Sequence, residues 1–308
     1  MTDKKIISLL PAATEILYAL SLSENLVAIS HECDYPESLK SLPVCTSSRI
    51  DPSAGSLQID TAVKETLSKA ISLYNVDTDL ITRLQPDVII TQSQCNVCAV
   101  SLTEVESQLA DLLNKDVSVI SLEPQTLQDI ISDIRRIGNE LQRTEQAETL
   151  IEELEERIDI IRHKLKFIEN KPSIACIEWL SPIMLAGNWT PGLVDIAGGR
   201  AILVEEGKHS PFIGFDQIKD TNPEIIIIMP CGFSIERSLK EMSLLLDLPG
   251  WNELEAVKNN RIYIADGNQY FNRSGPRIVD SIEILAEIIH PKQFIFGNEG
   301  SGWIRFNV

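Results

Sequence analysis

The stretch TQSQCNVCAV sets Cys95 and Cys98 as a C-x-x-C pair between the apolar run PDVIIT and the helix-like AVSLTEVESQLADLL. Such a pair serves as a redox couple, as half of a metal site, or as two thiols at the rim of a pocket. A helix start at Cys98 would lower its pKa and suit redox work, but the rest of a thioredoxin-like unit is missing from the sequence. A closed zinc site needs further ligands, and no second C-x-x-C occurs, so Cys33, His31 or Cys231 would have to join from other loops. The plainer reading is small polarizable side chains lining a pocket at a strand-to-helix turn.

HECDYP offers His31 beside Glu32 and Cys33. The pair could act as acid and base, as a metal ligand with its orienting carboxylate, or simply as loop hydrogen-bonding groups. Ser47, Ser48 and Arg49 could hold an anion, since a guanidinium presents a bidentate fork; a solvated loop arginine is the alternative. His163, His209 and His290 stand isolated and receive no role. There is no G-x-S-x-G elbow, no P-loop, no G-x-G-x-x-G after a strand, and no D-x-H-x-x-G, so neither catalysis nor a nucleotide cofactor is expected.

Elements must carry these residues to one place. KIISLL, LVAIS, DVIIT and VSVIS read as buried parallel strands, alternating with helical patterns such as TEILYALSL and LTEVESQLADLL. From Gln125 to Lys171 no proline intervenes, and apolar residues recur at steps of three and four, which predicts helices over 126–142 and 144–168, with Thr144 as a cap. After Pro172 the alternation resumes with SIACIE, IMLAG, EIIIIM, RIYIA and a closing helix; the tail KQFIFGNEGSGWIRFNV fits no element. The fold class expected is α/β, two Rossmann-like lobes with mostly parallel sheets joined by a single long helix. The expected boundaries are 1–142 for the N-terminal lobe, 143–170 for the backbone helix, and 171–308 for the C-terminal lobe with its tail.

Ligands of open parallel sheets sit beyond the carboxyl ends of the strands. There the loops are loaded with PAATE, HECDYP, TSSR and QSQCNVC in the first half, and with EW, NW, PCGF and DGNQYFNRSGP in the second. Tyr35, Trp179, Trp189, Phe233, Tyr270 and Phe271 all fall in such loops, which predicts a stacking surface.

These segments resemble the substrate-binding proteins of iron-chelate and cobalamin ABC importers, two lobes bridged by a rigid helix. HECDYP, CNVCAV, ACIEWLSPIMLAGNW, MPCGF, PGW and DGNQYFNRSGPR are similar to a branch identified as cobalamin-binding proteins, and the likeness covers residues 4 to 291. It implies a non-enzymatic carrier, sensor or transport-associated protein that encloses a corrinoid between its lobes. The implied ligand-binding residues are Pro11, His31, Tyr35, Arg49, Gln92 and Cys95 on one side, and Glu178, Trp179, Trp189, Phe233, Tyr270 and Phe271 on the other. A flat corrinoid with amide-rich edges suits aromatic walls and neutral donors, whereas a siderophore would call for more cations than Arg49 and Arg273. The alternative is a metal or metal-cofactor protein (haem, iron-sulfur or zinc) using His31, Cys33, Cys95 and Cys98, with or without redox activity; a third is an interaction protein with a vestigial cleft.

With 308 residues, 44% hydrophobic, the chain can bury a large core. Its net charge of -18 argues against nucleic acid or an anionic membrane surface as partner. No apolar run is long enough to span a bilayer, so membrane insertion is not expected. MTDKKIISLLPAATEIL lacks a secretory h-region, which predicts a cytoplasmic protein, periplasmic only if a signal peptide has been removed. The family's ABC permease is therefore a doubtful partner, and the cysteines are expected as thiols or ligands.

Overall fold

The computed structural model describes residues 3–69, 73–93, 105 and 117–307. Cys95 and Cys98, with the helix expected after them, lie outside the described residues. The chain divides into two compact units: Met1–Ala54, Gln58–Pro124 and Gln128–Glu153 form the first, and Gly55–Leu57, Gln125–Leu127 and Leu154–Val308 form the second.

The first unit is built on the parallel strands β1 (Ile6–Ser8), β2 (Leu26–Ile29), β5 (Val88–Gln92) and β6 (Ser118–Leu122), in the order β2-β1-β5-β6. In β1, Ile7 pairs with Ala28 on one side and Ile89 on the other, so the strand is hydrogen-bonded along both edges. Strands buried on both faces read as unbroken apolar runs, which is why IIS, LVAI and VIITQ were visible in the sequence. A separate antiparallel pair, β3 (Thr46–Ser48) with β4 (Tyr74–Val76), lies beside them, tied to β2 by a bridge between Ile29 and Val44. The helices described here are α1 (Pro11–Ala19), α2 (Ser56–Ser68), α3 (Thr78–Leu84) and α4 (Leu127–Glu140). Pro11 opens α1, where a missing N–H costs nothing.

Helix α5 (Thr144–Leu165) begins in the first unit and ends in the second. Its buried residues Ala147, Ile151, Leu154, Ile158, Ile161 and Leu165 follow the helical period. The break before it falls at Gln142, whose φ is 57°, and the turn is tight because Gly138 faces Ala147, where a Cβ would come within 2.4 Å. Thr144 was expected to cap the helix; its hydroxyl instead donates to Asn139 Oδ1 at 2.8 Å, across the turn.

The second unit has the parallel strands β7 (Ser173–Trp179), β10 (Ile225–Ile228) and β11 (Ile262–Ala265), flanked by antiparallel β8 (Met184–Leu185) and β12 (Trp303–Phe306); β9 (Arg200–Ala201) pairs with the start of β7. Its helices are α6 (Thr190–Ile196), α7 (Phe215–Thr221), α8 (Ile235–Lys240), α9 (Ser243–Leu246), α10 (Glu255–Lys258) and α11 (Ile278–Ile289). Ala175, Ile177, Ile226, Ile228, Ile262 and Ile264 pack with Trp251 in one core. Arg157 of α5 reaches α11, pairing with Asp280 at 2.5 Å and Glu283 at 2.7 Å. Burial opposes its charge, but the hydrogen bonds to Glu283 and Asp280 outweigh that and hold the guanidinium above its ordinary pKa.

The tail that fits no sequence pattern is the edge strand β12. It is fastened by Glu287, buried on α11, whose Oε1 accepts from the backbone N–H groups of Phe296 and, at 2.7 Å, of Gly297, while Oε2 accepts from Trp303 Nε1 at 2.9 Å.

Candidate functional site

Parallel strands end on one edge of their sheet, and each unit carries its polar and aromatic residues on that carboxyl edge. In the first unit β1 ends at Ser8, whose hydroxyl donates to Leu10 O at 3.0 Å and accepts from Thr14 Oγ1 at 2.8 Å; Thr14 also lies 3.0 Å from Cys33 Sγ. Pro11 is half-buried beside this chain of hydroxyls.

Beyond β2 stands His31. Its Nδ1 sits 2.7 Å from Thr46 Oγ1, which also takes the His31 backbone N–H at 3.1 Å and donates to Ser30 Oγ at 3.1 Å. Nε2 is 3.3 Å from Glu32 Oε1, close enough for an ion pair on a protonated ring but not aligned for a hydrogen bond. The ring also meets Tyr74, with centroids 5.6 Å apart. Tyr35 is 42% exposed, Arg49 is exposed with Nε donating to Tyr74 O at 3.3 Å, and Gln92 is buried at the end of β5. Cys95 and Cys98 fall outside the described residues, so of the metal alternative only His31 and Cys33 are placed. Among the described residues no three metal-ligating side chains come together.

Among the described residues Cys33, Cys45, Cys176 and Cys231 form no disulfide. Burial pushes the Cys45 thiol up to about 12, with neighbouring Cys33 adding to it, and burial does the same to Cys176, again to about 12. Neither can serve as a ready thiolate near neutral pH.

In the second unit β7 delivers Glu178 and Trp179, both half-buried. Glu178 Oε2 accepts from Ser210 Oγ at 2.5 Å, and Ser210 in turn accepts from Gly187 N–H at 3.0 Å, which fixes the carboxylate against the next loop. Trp179 meets Phe233 edge-on, with centroids 5.3 Å apart. The six loop aromatics do not behave alike. Phe233 and Phe271 are each 1% exposed and Trp189 7%, so these three offer no open face. The Arg237 guanidinium covers Phe233 at 3.6 Å from its centroid, and Trp189 Nε1 donates to Phe271 O at 2.7 Å. All three are buried within the second unit. Trp179 and Tyr270 keep partial exposure, the latter with the Arg277 guanidinium 5.6 Å from its ring.

The last loop is pinned by Asp266, which is buried and accepts from the N–H groups of Asn268 at 3.0 Å and Gln269 at 2.8 Å. Gly267 is required there: a Cβ would stand 2.1 Å from Pro230 O, so the loops after β10 and β11 touch backbone to backbone. Ser210, Thr46, Arg237 and Asp266 were missed in the sequence. Only Asp266 had a local signal, the D-G-N turn.

The model of the periplasmic binding protein family matches residues 6–268. The chain belongs to that family. An uncharacterized ABC transporter substrate-binding lipoprotein of Bacillus subtilis is 23% identical over 292 residues, covering 94% of this chain and 81% of that one. A vitamin B12-binding protein of Vibrio parahaemolyticus is 22% identical over 286 residues, covering 92% and 88%. The crystal structure of a periplasmic heme-binding protein from Pseudomonas aeruginosa superposes with a TM-score of 0.70 at 18% identity, covering 94% of each chain, which agrees with the two-lobed α/β fold. The family is one of solute-binding proteins of ABC importers, a non-enzymatic class. The expected cytoplasmic location finds no support, since the family is periplasmic and one relative is a lipoprotein. Among the described residues no helix is long and apolar enough to cross a membrane.

Proposed function

We propose that this periplasmic binding protein takes a corrinoid, a cobalamin-like molecule, as its solute and passes it to an ABC permease, with its ligand contacts on the carboxyl edges of the two sheets. The observation that carries the reading is the makeup of the second unit's edge. Trp179 and Tyr270 keep partly open aromatic surface, Trp179 against buried Phe233, with buried Trp189 bonded to Phe271 and with neutral donors and acceptors from Asn268, Gln269 and Asn272 in the last loop. A corrin ring is flat and apolar with amide-bearing edges, so it gains from such walls and needs few charges. In the first unit Tyr35, His31 and Arg49 supply the corresponding groups. The relative that binds vitamin B12 matches along more than nine-tenths of this chain, which supports the same ligand class.

Titrating the purified protein with cyanocobalamin tests this. We expect saturable, one-to-one quenching of tryptophan fluorescence with a shift of the corrin absorption bands. Absence of both at high micromolar ligand would rule the ligand class out. Trp179→Ala should weaken binding about fivefold or more, the loss of one stacking face worth roughly 1 kcal/mol.

A further inference from the structure

The opposite, amino-terminal edge of the second unit's sheet holds a hollow of about 720 Å³. Its walls are the residues that lead into parallel strands, which necessarily gather on one edge: Lys171 before β7, Arg200 in β9, Glu224 before β10 and Arg261 before β11, with His290 after α11. In a chain of net charge -18, four basic side chains and only Glu169 and Glu224 as acids line this place.

Among the described residues neither acid forms an ion pair with the arginines. Glu224 Oε2 already accepts from Ser173 N at 2.7 Å and Ser173 Oγ at 3.2 Å, and Lys171 is taken by Asp195. Among the described residues the Arg200 guanidinium has no hydrogen-bond or ion-pair partner, and that of Arg261 has only Ile289 O at 3.4 Å. His290 Nε2 faces Gly198 O at 3.3 Å; a Cβ on Gly198 would come 2.6 Å from that nitrogen, and its φ of +78° favours glycine. Burial lowers the His290 pKa, the hydrogen bond to Gly198 O opposes this, and the Arg261 charge lowers it further, so the ring beside Arg261 favours its neutral form.

We propose that this hollow is a second binding site, for a small phosphate-bearing anion gripped by the Arg200 and Arg261 guanidinium groups beside the His290 ring. Guanidinium forks match phosphate oxygens, and the volume exceeds what one phosphate fills, leaving room for the molecule that carries it. The site lies wholly within the second unit, away from the carboxyl edge, and is independent of the corrinoid reading.

The test is an NMR and calorimetric titration of the full chain with inorganic pyrophosphate, following the His290 ring signal, which is assigned by its loss in His290→Asn. Binding should be saturable and one to one, and should move the His290 titration midpoint upward, because an adjacent anion favours the charged ring. Arg200→Gln should weaken it at least about tenfold, and Arg261→Gln likewise, each with an unchanged thermal midpoint. Trp179→Ala should leave it unaltered. No saturable shift at millimolar pyrophosphate, affinity in both arginine variants equal to that of the unaltered protein, or tighter binding of citrate than of pyrophosphate would each overturn the proposal.

Discussion

Cys45 and Cys176 are held as thiols well beyond their ordinary pKa of 9, at about 12 in each case, because burial penalises the thiolate. An unfolded chain would release both protons above pH 9 while the folded one keeps them. The unfolded state therefore binds fewer protons there, and stability falls as pH rises from about 9 toward 12, by up to about 1.4 kcal/mol per pH unit for each thiol. Below pH 9 the two groups contribute no pH dependence. Urea denaturation at pH 8 and pH 10.5 measures the loss, and Cys45→Ala should shrink it. Alkylation mapped by mass spectrometry at pH 8 should label half-buried Cys231 well before Cys45, whose thiolate fraction there is about one in ten thousand.

At the scale of elements, Glu287 decides whether β12 exists. It satisfies backbone N–H groups of the turn before the strand and the buried indole N–H of Trp303, so Glu287→Ala leaves that one buried donor without its acceptor, a cost of about 1–3 kcal/mol. Hydrogen exchange should then show Gly297 and residues 303–306 exchanging faster than β10, and limited proteolysis should cut the tail first; unchanged protection of the tail would refute this role. The same contact explains why the strand was invisible in the sequence. WIRF is four residues long and its anchor lies 16 residues away on another element, whereas IIII in β10 announces a doubly buried strand by itself. The candidate site divides likewise. That Phe233 and Phe271 belong to strand-end loops could be read from order along the chain. That they turn inward could not, since it depends on Arg237 covering one ring and on Ser281 Oγ accepting the Phe271 N–H at 3.0 Å.

For the whole molecule, net charge separates the two tetrapyrrole-like ligands named among its relatives. Haem brings two carboxylates toward a protein of charge -18, whereas cyanocobalamin brings no net charge. Repulsion between like charges is screened within roughly 10 Å at 0.1 M salt, so an anionic ligand should bind more weakly at low salt and recover as salt rises. A neutral corrinoid, held by stacking and amide hydrogen bonds, should bind almost equally in both. A ligand present at one hundred times its Kd adds about 2.7 kcal/mol to the stability of the folded state. Scanning calorimetry with and without cyanocobalamin should therefore show the affected transition rising by about 5 °C or more, at low and at high salt alike. Because the chain forms two compact units, two transitions are admissible, and a ligand that uses both carboxyl edges should raise both and draw them together. If haemin raises the transitions and cyanocobalamin does not, the solute is a haem and the charge argument fails. If cyanocobalamin raises only one, its contacts belong to a single unit.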